Sequence, residues 1–439
     1  MNRKWIVLLF VLGLLAGACT LLKPTKSLAP LTTPALKPAA PLPEPMAVLS
    51  ALKLQHKPGP DTVWNYGQSI ALGEGVLAVG APHWGGQPGQ KAGVVFVYQR
   101  QGNQWVEQAQ LSAADKDDGF QYDQQIGYSL ALEKNILFAG APYADDRKAG
   151  DNTGAVYVFQ KGVEGWAQID RLAAAEPAAN ASFGHTLVSS GDWLAVSEVI
   201  PGMRVFLFQQ QVGKWRQRAL LEMPVVDGYK GNLYAIDLYG DTLVVTVVYT
   251  RGENEMTQGF SRVYLYELQA GGWQQASVLS FGEENGGSKR IVSGSVALDG
   301  SQGRAERLAL NVMNLTASYG SGAVLIYERA ASGWQLKDRL TAPDSQNTDG
   351  FGGSLDLKGN ILLVGAPGAS EDSFWDGVAY AFELDHGRWV EQLRLAPPED
   401  GGFGDFFGSR LAVQESTFLI SAPNEFGNAV YVFEVGKGH

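Results

Sequence analysis

Short apolar runs separated by polar turns, many of them containing glycine, recur along residues 66–439. One unit consists of an apolar run, a two- or three-residue polar turn and a second apolar run, as in YGQSIALGEGVLAVGAP at 66–82 and FGGSLDLKGNILLVGAP at 351–367. Apolar runs of this length, bounded by turn residues, are typical of β-strands joined in a hairpin. We therefore expect this unit to form two antiparallel strands.

A second unit follows each of these hairpins: an aromatic residue, six residues, a tryptophan, five residues and a leucine. A glycine precedes most of the tryptophans by two or three residues, which predicts a turn between two strands and hence a second hairpin. Six copies have this spacing: Tyr98/Trp105/Leu111, Phe159/Trp166/Leu172, Phe208/Trp215/Leu221, Tyr266/Trp273/Leu279, Tyr327/Trp334/Leu340 and Phe382/Trp389/Leu395. Two hairpins make four strands, the content of one propeller blade, and we expect the tryptophans to pack between blades.

Seven copies of the double unit run along the chain. They start at residues 66, 126, 183, 232, 292, 351 and 407, so that successive starts lie 49–60 residues apart. A single blade of this kind cannot bury its faces, and the copies must stack around an axis. The predicted fold is all-β: a seven-bladed β-propeller of four-stranded blades.

The two ends of the repeat region predict how the ring closes. The seventh copy has its aromatic residue at Phe433, so its tryptophan would fall one position beyond residue 439. The segment VLSALKL at 48–54 has the tryptophan-to-leucine spacing, with Val48 in the tryptophan place. We therefore expect residues 48–55 to supply the outer strand of the seventh blade, and residues 48–439 to form the propeller.

The first residues have the pattern of an export signal. A basic start is followed by an apolar run from Trp5 to Leu15, too short for a permanent transmembrane helix, and by small residues before Cys19. The stretch LAGAC at 15–19 resembles the lipobox of bacterial lipoproteins, in which the signal is cut before the cysteine and the cysteine is acylated. The resemblance implies a signal peptide at 1–18, lipidation of Cys19 and a place in the cell envelope. Because Thr20 and not aspartate follows the cysteine, it also implies the outer membrane where the host has two membranes.

Residues 19–47 predict a tether between this anchor and the propeller. Prolines recur from Pro24 to Pro45 without any apolar period. Proline-rich segments stay extended, at about 3.1 Å per residue. The expected partner at this end of the chain is therefore a membrane, contacted through the lipid on Cys19.

The repeated FG-x-S-L and G-A-P elements resemble FG-GAP repeats, the units of the integrin α-subunit propeller and of many bacterial surface proteins. The resemblance covers about 66–439 and implies a seven-bladed propeller. In integrins, several first hairpins carry a calcium loop rich in aspartate, because calcium needs six to eight oxygen ligands. Here those turns are short, as in GEG at 73–75, and only 299–306 suggests a longer turn, with too few carboxylates. We predict no metal and no cofactor.

The charge of the chain and the types of residue it contains argue against nucleic-acid binding and against catalysis. The chain has a net charge of −11, and because residues 1–47 hold five basic side chains and one acidic one, residues 48–439 carry −15. An acidic body does not favour nucleic acid, which is bound by clustered lysine and arginine. Cys19 is the only cysteine, and the five histidines stand at no metal-ligand spacing. No nucleophile elbow or phosphate loop occurs either, so we do not expect an enzyme.

Variation in length and composition is concentrated in the loops after G-A-P and in the connections between blades. In the integrin propeller both sets of loops lie on the ligand-binding face. Here they are acidic and contain aromatic residues. Aspartate and glycine are also common turn formers, which would explain the acidity without a ligand. The candidate ligand-binding residues are Trp84, Tyr143, Asp145, Asp146, Asp372, Trp375 and Asp376.

Aromatic rings beside carboxylates suit the stacking of a sugar or contact with a basic protein surface. We therefore expect an envelope-anchored binding or scaffold module that recognises a protein or a glycan through one propeller face. Two alternatives remain open. One is a polysaccharide-active propeller enzyme, which would need a pair of carboxylates at the pore mouth. The other is a structural coat protein.

Overall fold

The computed structural model describes residues 45–55, 65–84, 92–113, 124–146, 148–199, 202–251, 259–282, 290–314, 322–342, 350–369, 376–398, 404–423 and 428–437. The signal peptide at 1–18, Cys19 and nearly all of the tether lie outside these ranges. Within them the structure is all-β, and no helix there is long and apolar enough to cross a membrane.

In the described ranges, twenty-eight strands form seven antiparallel sheets of four. The first strand of the chain, β1 (Met46–Gln55), stands apart from the four-strand units that follow it. The units of blades 1 to 3 are β2 (Ser69–Gly73), β3 (Val76–Ala81), β4 (Val94–Gln101) and β5 (Gln104–Leu111); β6 (Ser129–Glu133), β7 (Ile136–Ala141), β8 (Ala155–Gly162) and β9 (Gly165–Leu172); and β10 (Leu187–Ser190), β11 (Trp193–Glu198), β12 (Arg204–Gln211) and β13 (Lys214–Glu222).

Blades 4 to 7 continue the same order. Their strands are β14 (Lys230–Tyr239), β15 (Thr242–Thr250), β16 (Gly259–Gln269) and β17 (Gly272–Phe281); β18 (Arg290–Ser301), β19 (Arg304–Asn314), β20 (Ala323–Ala330) and β21 (Gly333–Leu340); β22 (Ser354–Lys358), β23 (Ile361–Ala366), β24 (Val378–Asp385) and β25 (Arg388–Leu395); and β26 (Leu411–Gln414), β27 (Thr417–Ala422) and β28 (Ala429–Lys437). The predicted seven-bladed β-propeller is confirmed.

The ring closes through both its innermost and its outermost strands. The first strands of neighbouring blades contact one another all the way round, and β26 of the last blade contacts β2 of the first. The seventh sheet has the order β1-β28-β27-β26, so the outer strand comes from the other end of the chain. In the register of β1 against β28, Leu54 pairs with Val430 and Lys53 with Tyr431. The closing strand starts at Met46, two residues before the expected position 48.

Apolar side chains pack between adjacent blades rather than into one central core. The second strands, such as β3 and β23, are buried at all six positions, because a neighbouring blade covers each face of the sheet. The last interface joins Phe96 of blade 1 to Leu419 and Val432 of blade 7 in one cluster. The conserved spacing of the tryptophans has the same cause, since Trp215 meets Phe138 of the preceding blade edge-on, with ring centroids 4.9 Å apart.

A serine–glycine contact joins several neighbouring blades near the channel. The serine of FG-x-S donates its hydroxyl hydrogen to a glycine carbonyl of the next blade: Ser69 to Gly127 (2.6 Å), Ser129 to Gly184 (2.7 Å) and Ser354 to Gly408 (2.6 Å). The glycine of G-A-P makes room for this bond. A Cβ atom at position 365 would lie 2.1 Å from the Gly408 oxygen and 2.2 Å from the Ser354 hydroxyl oxygen. The serine of FG-x-S and the glycine of G-A-P therefore act together in this contact between blades, which we call the joint.

The longer turn expected over 299–306 in blade 5 is wrong. The strands β18 and β19 extend further than their counterparts and leave a two-residue turn at Gln302 and Gly303. Asp299 is buried and accepts a hydrogen bond from Arg307 at 2.7 Å. The acidic side chain thus belongs to a strand pair and neutralises an arginine.

Candidate functional site

The connections divide cleanly between the two faces of the ring. On one face, which we call the turn face, every connection within a blade is a two-residue turn, such as 74–75 or 102–103. On the other, the loop face, the connections run from five residues (199–203) to 17 residues (112–128). Long connections held by rigid strands are where proteins place binding residues. The loop face is therefore the favoured location for a ligand-binding site.

A central channel opens on the loop face in a mouth of about 300 Å³ that is lined by all seven blades. In blades 1, 2, 3, 6 and 7 the lining residues lie at the start of the innermost strand or just before it, at the third to fifth positions counted from the start of FG-x-S. In blades 4 and 5 they lie within the longer innermost strands β14 and β18. Most blades contribute small or hydroxyl-bearing residues there. Besides aliphatic residues such as Leu130 and Leu411, the mouth is lined by two tyrosines, a histidine and an arginine: Tyr128, Tyr234, His185 and Arg410.

Arg410 occupies the place that serine holds in the joints of blades 1, 2 and 6, because Leu411 pairs with Ile420 as Ile70 pairs with Val79. Its guanidinium donates to the Ser409 carbonyl at 2.9 Å, and no carboxylate pairs with it in the described part of the chain. The side chain is exposed in the mouth, and partial desolvation of its guanidinium by the surrounding strands lowers its pKa. Arginine nevertheless stays protonated at neutral pH. Among the described residues, the mouth therefore contains a positive charge without an ion-pair partner.

Tyr128 and His185 form a neutral pair beside this charge. The Tyr128 hydroxyl lies 3.2 Å from His185 Nε2, and the two ring centroids are 5.0 Å apart. Burial raises the pKa of Tyr128, while burial and, to a lesser degree, the charge of Arg410 lower the pKa of His185. Both shifts favour the uncharged forms at neutral pH. Arg410 thus dominates the charge of the mouth.

Tyr234 completes this group from blade 4. Its side chain is 48% exposed although it lines the same mouth, and no hydrogen bond or ring contact to it occurs among the described residues. Most buried tyrosines in this ring do have such partners, as where the hydroxyls of Tyr66 and Tyr98 meet at 2.8 Å. An open aromatic face next to a lone cation is a combination that packing within the ring does not require.

The turn-face end of the channel has the opposite character. A cavity of about 650 Å³ is lined there by Asp237, Asp356 and Lys358, among others. Each aspartate joins two blades: Asp237 accepts from the Leu298 backbone N–H and Asp356 from the Val413 N–H, both at 2.6 Å. The second oxygen of each accepts from the N–H of the following residue. Hydrogen bonds thus occupy both oxygens of each carboxylate.

Desolvation has a large effect on these two carboxyl groups. Burial, partly offset by the backbone hydrogen bonds, raises the pKa of Asp237 to about 7 and that of Asp356 to about 6. The charge of Asp356 contributes to the rise at Asp237, whereas Lys358 lowers the pKa of both. No group of three or more histidine, cysteine, aspartate or glutamate residues in the described ranges could hold a metal ion. The arrangement joins blades and responds to pH.

Two of the three aromatic candidates from the sequence, Trp84 and Tyr143, pack against other aromatic rings. Trp84 is half-buried and packs edge-to-face against Phe96, with ring centroids 4.8 Å apart, at the base of its loop. Core packing therefore explains a tryptophan that turn chemistry does not. Tyr143 packs edge-on against Tyr128 at 6.2 Å, and so connects the loop of blade 2 to the channel mouth. Trp375 lies outside the described residues.

The acidic candidates mostly shape their own loops. Asp145 accepts from the Asn152 N–H at 2.8 Å, and Asp146 accepts from the N–H groups of Lys148 and Ala149 at 2.8 and 2.9 Å. These two backbone bonds lower the pKa of Asp146. The backbone carbonyl of Asp376 accepts from Phe407 N–H at 2.9 Å in the next blade. The remaining candidate, Asp372, lies outside the described residues. Ligand binding at the seven candidate positions stays a prediction.

Sequence reasoning did not single out Tyr128, His185, Tyr234 or Arg410. A signal for them exists in the repeats, at the third and fourth positions of FG-x-S. Blades 1, 2 and 6 read YGQS, IGYS and FGGS, whereas blade 7 reads FGSR. A charged residue at the position of the serine that bonds to the next blade indicates that this position has another role in blade 7.

Comparison with known proteins agrees with this architecture. The FG-GAP repeat family profile matches residues 105–159 and 334–382. Each match runs from the tryptophan of one blade, in β5 or β21, to the aromatic residue of the next, in β8 or β24. The family unit thus contains the last strand of one blade and the first three strands of the next. No curated protein matches the chain.

Solved structures resemble this chain in fold alone. A chain of a Mitotic Checkpoint Complex crystal structure is 12% identical, with a TM-score of 0.52, over 93% of this chain and 98% of that one. Sqt1 from Chaetomium thermophilum is 12% identical, with a TM-score of 0.48, over 82% and 80%. A putative 6-phosphogluconolactonase from Bacteroides fragilis is 12% identical, with a TM-score of 0.47, over 79% and 88%.

Proposed function

For this seven-bladed propeller with FG-GAP repeats, we propose a role as a binding or scaffold module of a bacterial cell envelope. Lipid on Cys19 anchors the chain, and residues 20–45 hold the propeller, which begins with β1 at Met46, away from the membrane. The ligand is a protein or a glycan and meets the loop face. Catalysis is not part of this proposal, since propellers with FG-GAP repeats are generally non-catalytic and fold likeness does not establish an activity.

The observation that carries the proposal is the asymmetry between the two faces. Two-residue turns expose little surface that can vary, whereas connections of five to 17 residues offer a broad, adjustable surface on a rigid ring. The loop face also contains the channel mouth, where Tyr234 is exposed and Arg410 has no ion-pair partner among the residues that the structure describes. Tyr143 links the two regions through its contact with Tyr128.

Ligand capture by the full-length, detergent-solubilised protein tests the face. Cross-linking in envelopes and a glycan array would be run with the wild type, with a Tyr143→Ala/Trp375→Ala variant, and with Val163→Ala as a matched control. Trp84 is left intact because it packs against Phe96. Val163 lies on the turn face and is fully exposed, at 105%. We expect capture to be lost only in the loop-face variant; loss in the Val163 variant alone would place the site on the other face.

The anchor needs its own measurement. Mass spectrometry of the mature N-terminus should find an acylated Cys19, and Cys19→Ala should move the protein from the membrane to the soluble fraction. Retention of the Cys19→Ala protein in the membrane would contradict the anchor. Each acyl chain contributes about 0.8 kcal/mol per buried methylene, so a protein with several chains should resist washing with salt.

The two alternatives predict different results. An enzyme acting on polysaccharide would use Asp237 and Asp356, the carboxyl pair at the turn-face end of the channel, and turnover would disappear in Asp237→Asn and Asp356→Asn variants. A coat protein would assemble with itself at high abundance, with no foreign ligand captured. Turnover is not expected, because both carboxylates already accept backbone hydrogen bonds at both oxygens.

A further inference from the structure

Blade 7 has Arg410 where other blades have a serine, and it therefore lacks the hydrogen bond that this serine donates to the next blade. In blades 1, 2 and 6 the equivalent serine bonds to the next blade, and a glycine of G-A-P makes room for it. Blade 7 has lost both halves, since Ser421 stands in the place of that glycine. The arginine side chain instead reaches into the channel mouth.

Arg410 is exposed within the channel mouth, where its guanidinium can meet an anionic ligand, and no carboxylate of the described residues pairs with it. The groups that face Arg410 in the described residues are the neutral Tyr128 and His185, with Tyr234 on the rim of the same mouth. The only hydrogen bond that the guanidinium makes there goes to the Ser409 carbonyl. Most of its N–H donors are therefore left for a ligand, and the charge selects an anion.

The geometry of the mouth narrows the class of anion. Guanidinium presents a planar fork that matches a carboxylate or a phosphate with two parallel hydrogen bonds. Tyr234 adds an open aromatic face, the kind of surface on which a sugar ring stacks. A mouth of about 300 Å³ lies at the lower end of the range for ligand pockets, which begins near 300 Å³.

From this combination we infer that the channel mouth on the loop face binds the carboxylate of an acidic sugar. Arg410 holds the carboxylate and Tyr234 contacts the sugar ring. The inference rests on the proposed function and names the ligand class for that face. The charge of −15 on residues 48–439 repels polyanions at a distance, so a ligand with a single carboxylate, such as one uronate unit, fits the site better than a highly charged polymer.

Isothermal titration calorimetry with the full-length protein tests this inference directly. The probes are glucuronate, glucose as its neutral counterpart, inorganic phosphate and a short glutamate peptide. The variants are Arg410→Ser, Tyr234→Ala and, as a matched control, Arg388→Ser on the turn face, where the arginine is exposed. Arg410→Ser should fold, because serine is the native residue at positions 69, 129 and 354.

We expect glucuronate to bind the wild type at one site and glucose not to bind. Arg410→Ser should weaken glucuronate binding at least tenfold, Tyr234→Ala should weaken it as well, and Arg388→Ser should leave it unchanged. Phosphate binding as tight as that of glucuronate and indifferent to Tyr234→Ala would overturn the sugar assignment. Binding of the glutamate peptide in place of glucuronate would overturn it in favour of a protein partner.

Binding of none of the probes, or equal binding by Arg410→Ser, would overturn the inference altogether. Neither result would contradict the proposed function. That function depends on the capture of an envelope ligand by the long loops, and the Tyr143→Ala/Trp375→Ala variant tests it. The two failures are therefore distinguishable: loss of envelope capture refutes the module, whereas loss of glucuronate binding refutes only the acidic sugar.

Discussion

Gly365 should be among the positions of this ring least tolerant of alanine, because it leaves room for the joint between blades 6 and 7. A Cβ atom there would lie 2.1 Å from the Gly408 carbonyl oxygen and 2.2 Å from the Ser354 hydroxyl oxygen. Relieving both contacts means moving blade 7 outward or breaking the 2.6 Å hydrogen bond from Ser354 to Gly408. Gly80 and Gly140 have the same surroundings in blades 1 and 2.

The expected cost combines two effects. Overpacking a tight site destabilises by about 1–3 kcal/mol. Losing the buried hydrogen bond adds about 1 kcal/mol. Gly365→Ala should therefore lower the free energy of unfolding by about 2–4 kcal/mol, whereas Ser354→Ala, which removes only the hydrogen bond, should lower it by about 1 kcal/mol.

Urea unfolding followed by tryptophan fluorescence measures both variants, since the chain contains 11 tryptophans. The slope of the transition has to be compared as well, because a blade that detaches separately would change it. Ser421→Gly is the control, as blade 7 already has a side chain at the equivalent position and should gain no joint from its removal. If Gly365→Ala costs no more than Ser354→Ala, the steric account of the G-A-P glycine is wrong.

Three further predictions follow from other parts of the ring. Val212 has a φ of 49° in a fully exposed turn before Gly213, so Val212→Asn should stabilise the fold by about 1 kcal/mol, and an unchanged or lower urea midpoint would contradict this. The pKa values of Asp237 and Asp356 are raised to about 7 and about 6, so the folded state binds their protons more tightly than the unfolded chain does. Stability should therefore rise as pH falls from about 8 to about 5, by up to about 1.4 kcal/mol per pH unit for each carboxyl, and a double Asp→Asn variant should lose this slope in urea titrations. Deleting 46–55 removes the strand that covers β28, and the open sheet edge should cause aggregation on size-exclusion chromatography that a peptide MAVLSALKLQ added in trans suppresses; a monomeric deletion variant would refute the closure.

The success of the sequence in predicting the fold and its difficulty with the site have different physical origins. Strands and tight turns leave local signatures, so the spacing from Tyr98 to Trp105 indicated a hairpin that the structure contains. The role of an exposed side chain depends on what other blades bring next to it. Trp84 looked available in an acidic loop, yet Phe96 of β4 covers one edge of it.

Asp145 and Asp146 illustrate the same limit. The sequence allowed either a ligand-binding or a turn-forming role, and the structure shows both carboxylates bonded to backbone N–H groups of their own loop. The longer turn expected at 299–306 failed for a related reason. Pairing of β18 with β19 extended the strands over residues that, by composition, were turn formers.

The amino-acid sequence by itself determined the number of blades, their four strands and the closing strand from the N-terminal side. Each of these features depends on residues near one another in the chain, or on a pattern that recurs along it in seven copies. Only the tertiary structure decided the channel mouth. Tyr128, His185, Tyr234 and Arg410 lie roughly 50 or more residues apart in sequence. They line one mouth because a closed ring of seven blades brings the corresponding segment of every repeat to one axis.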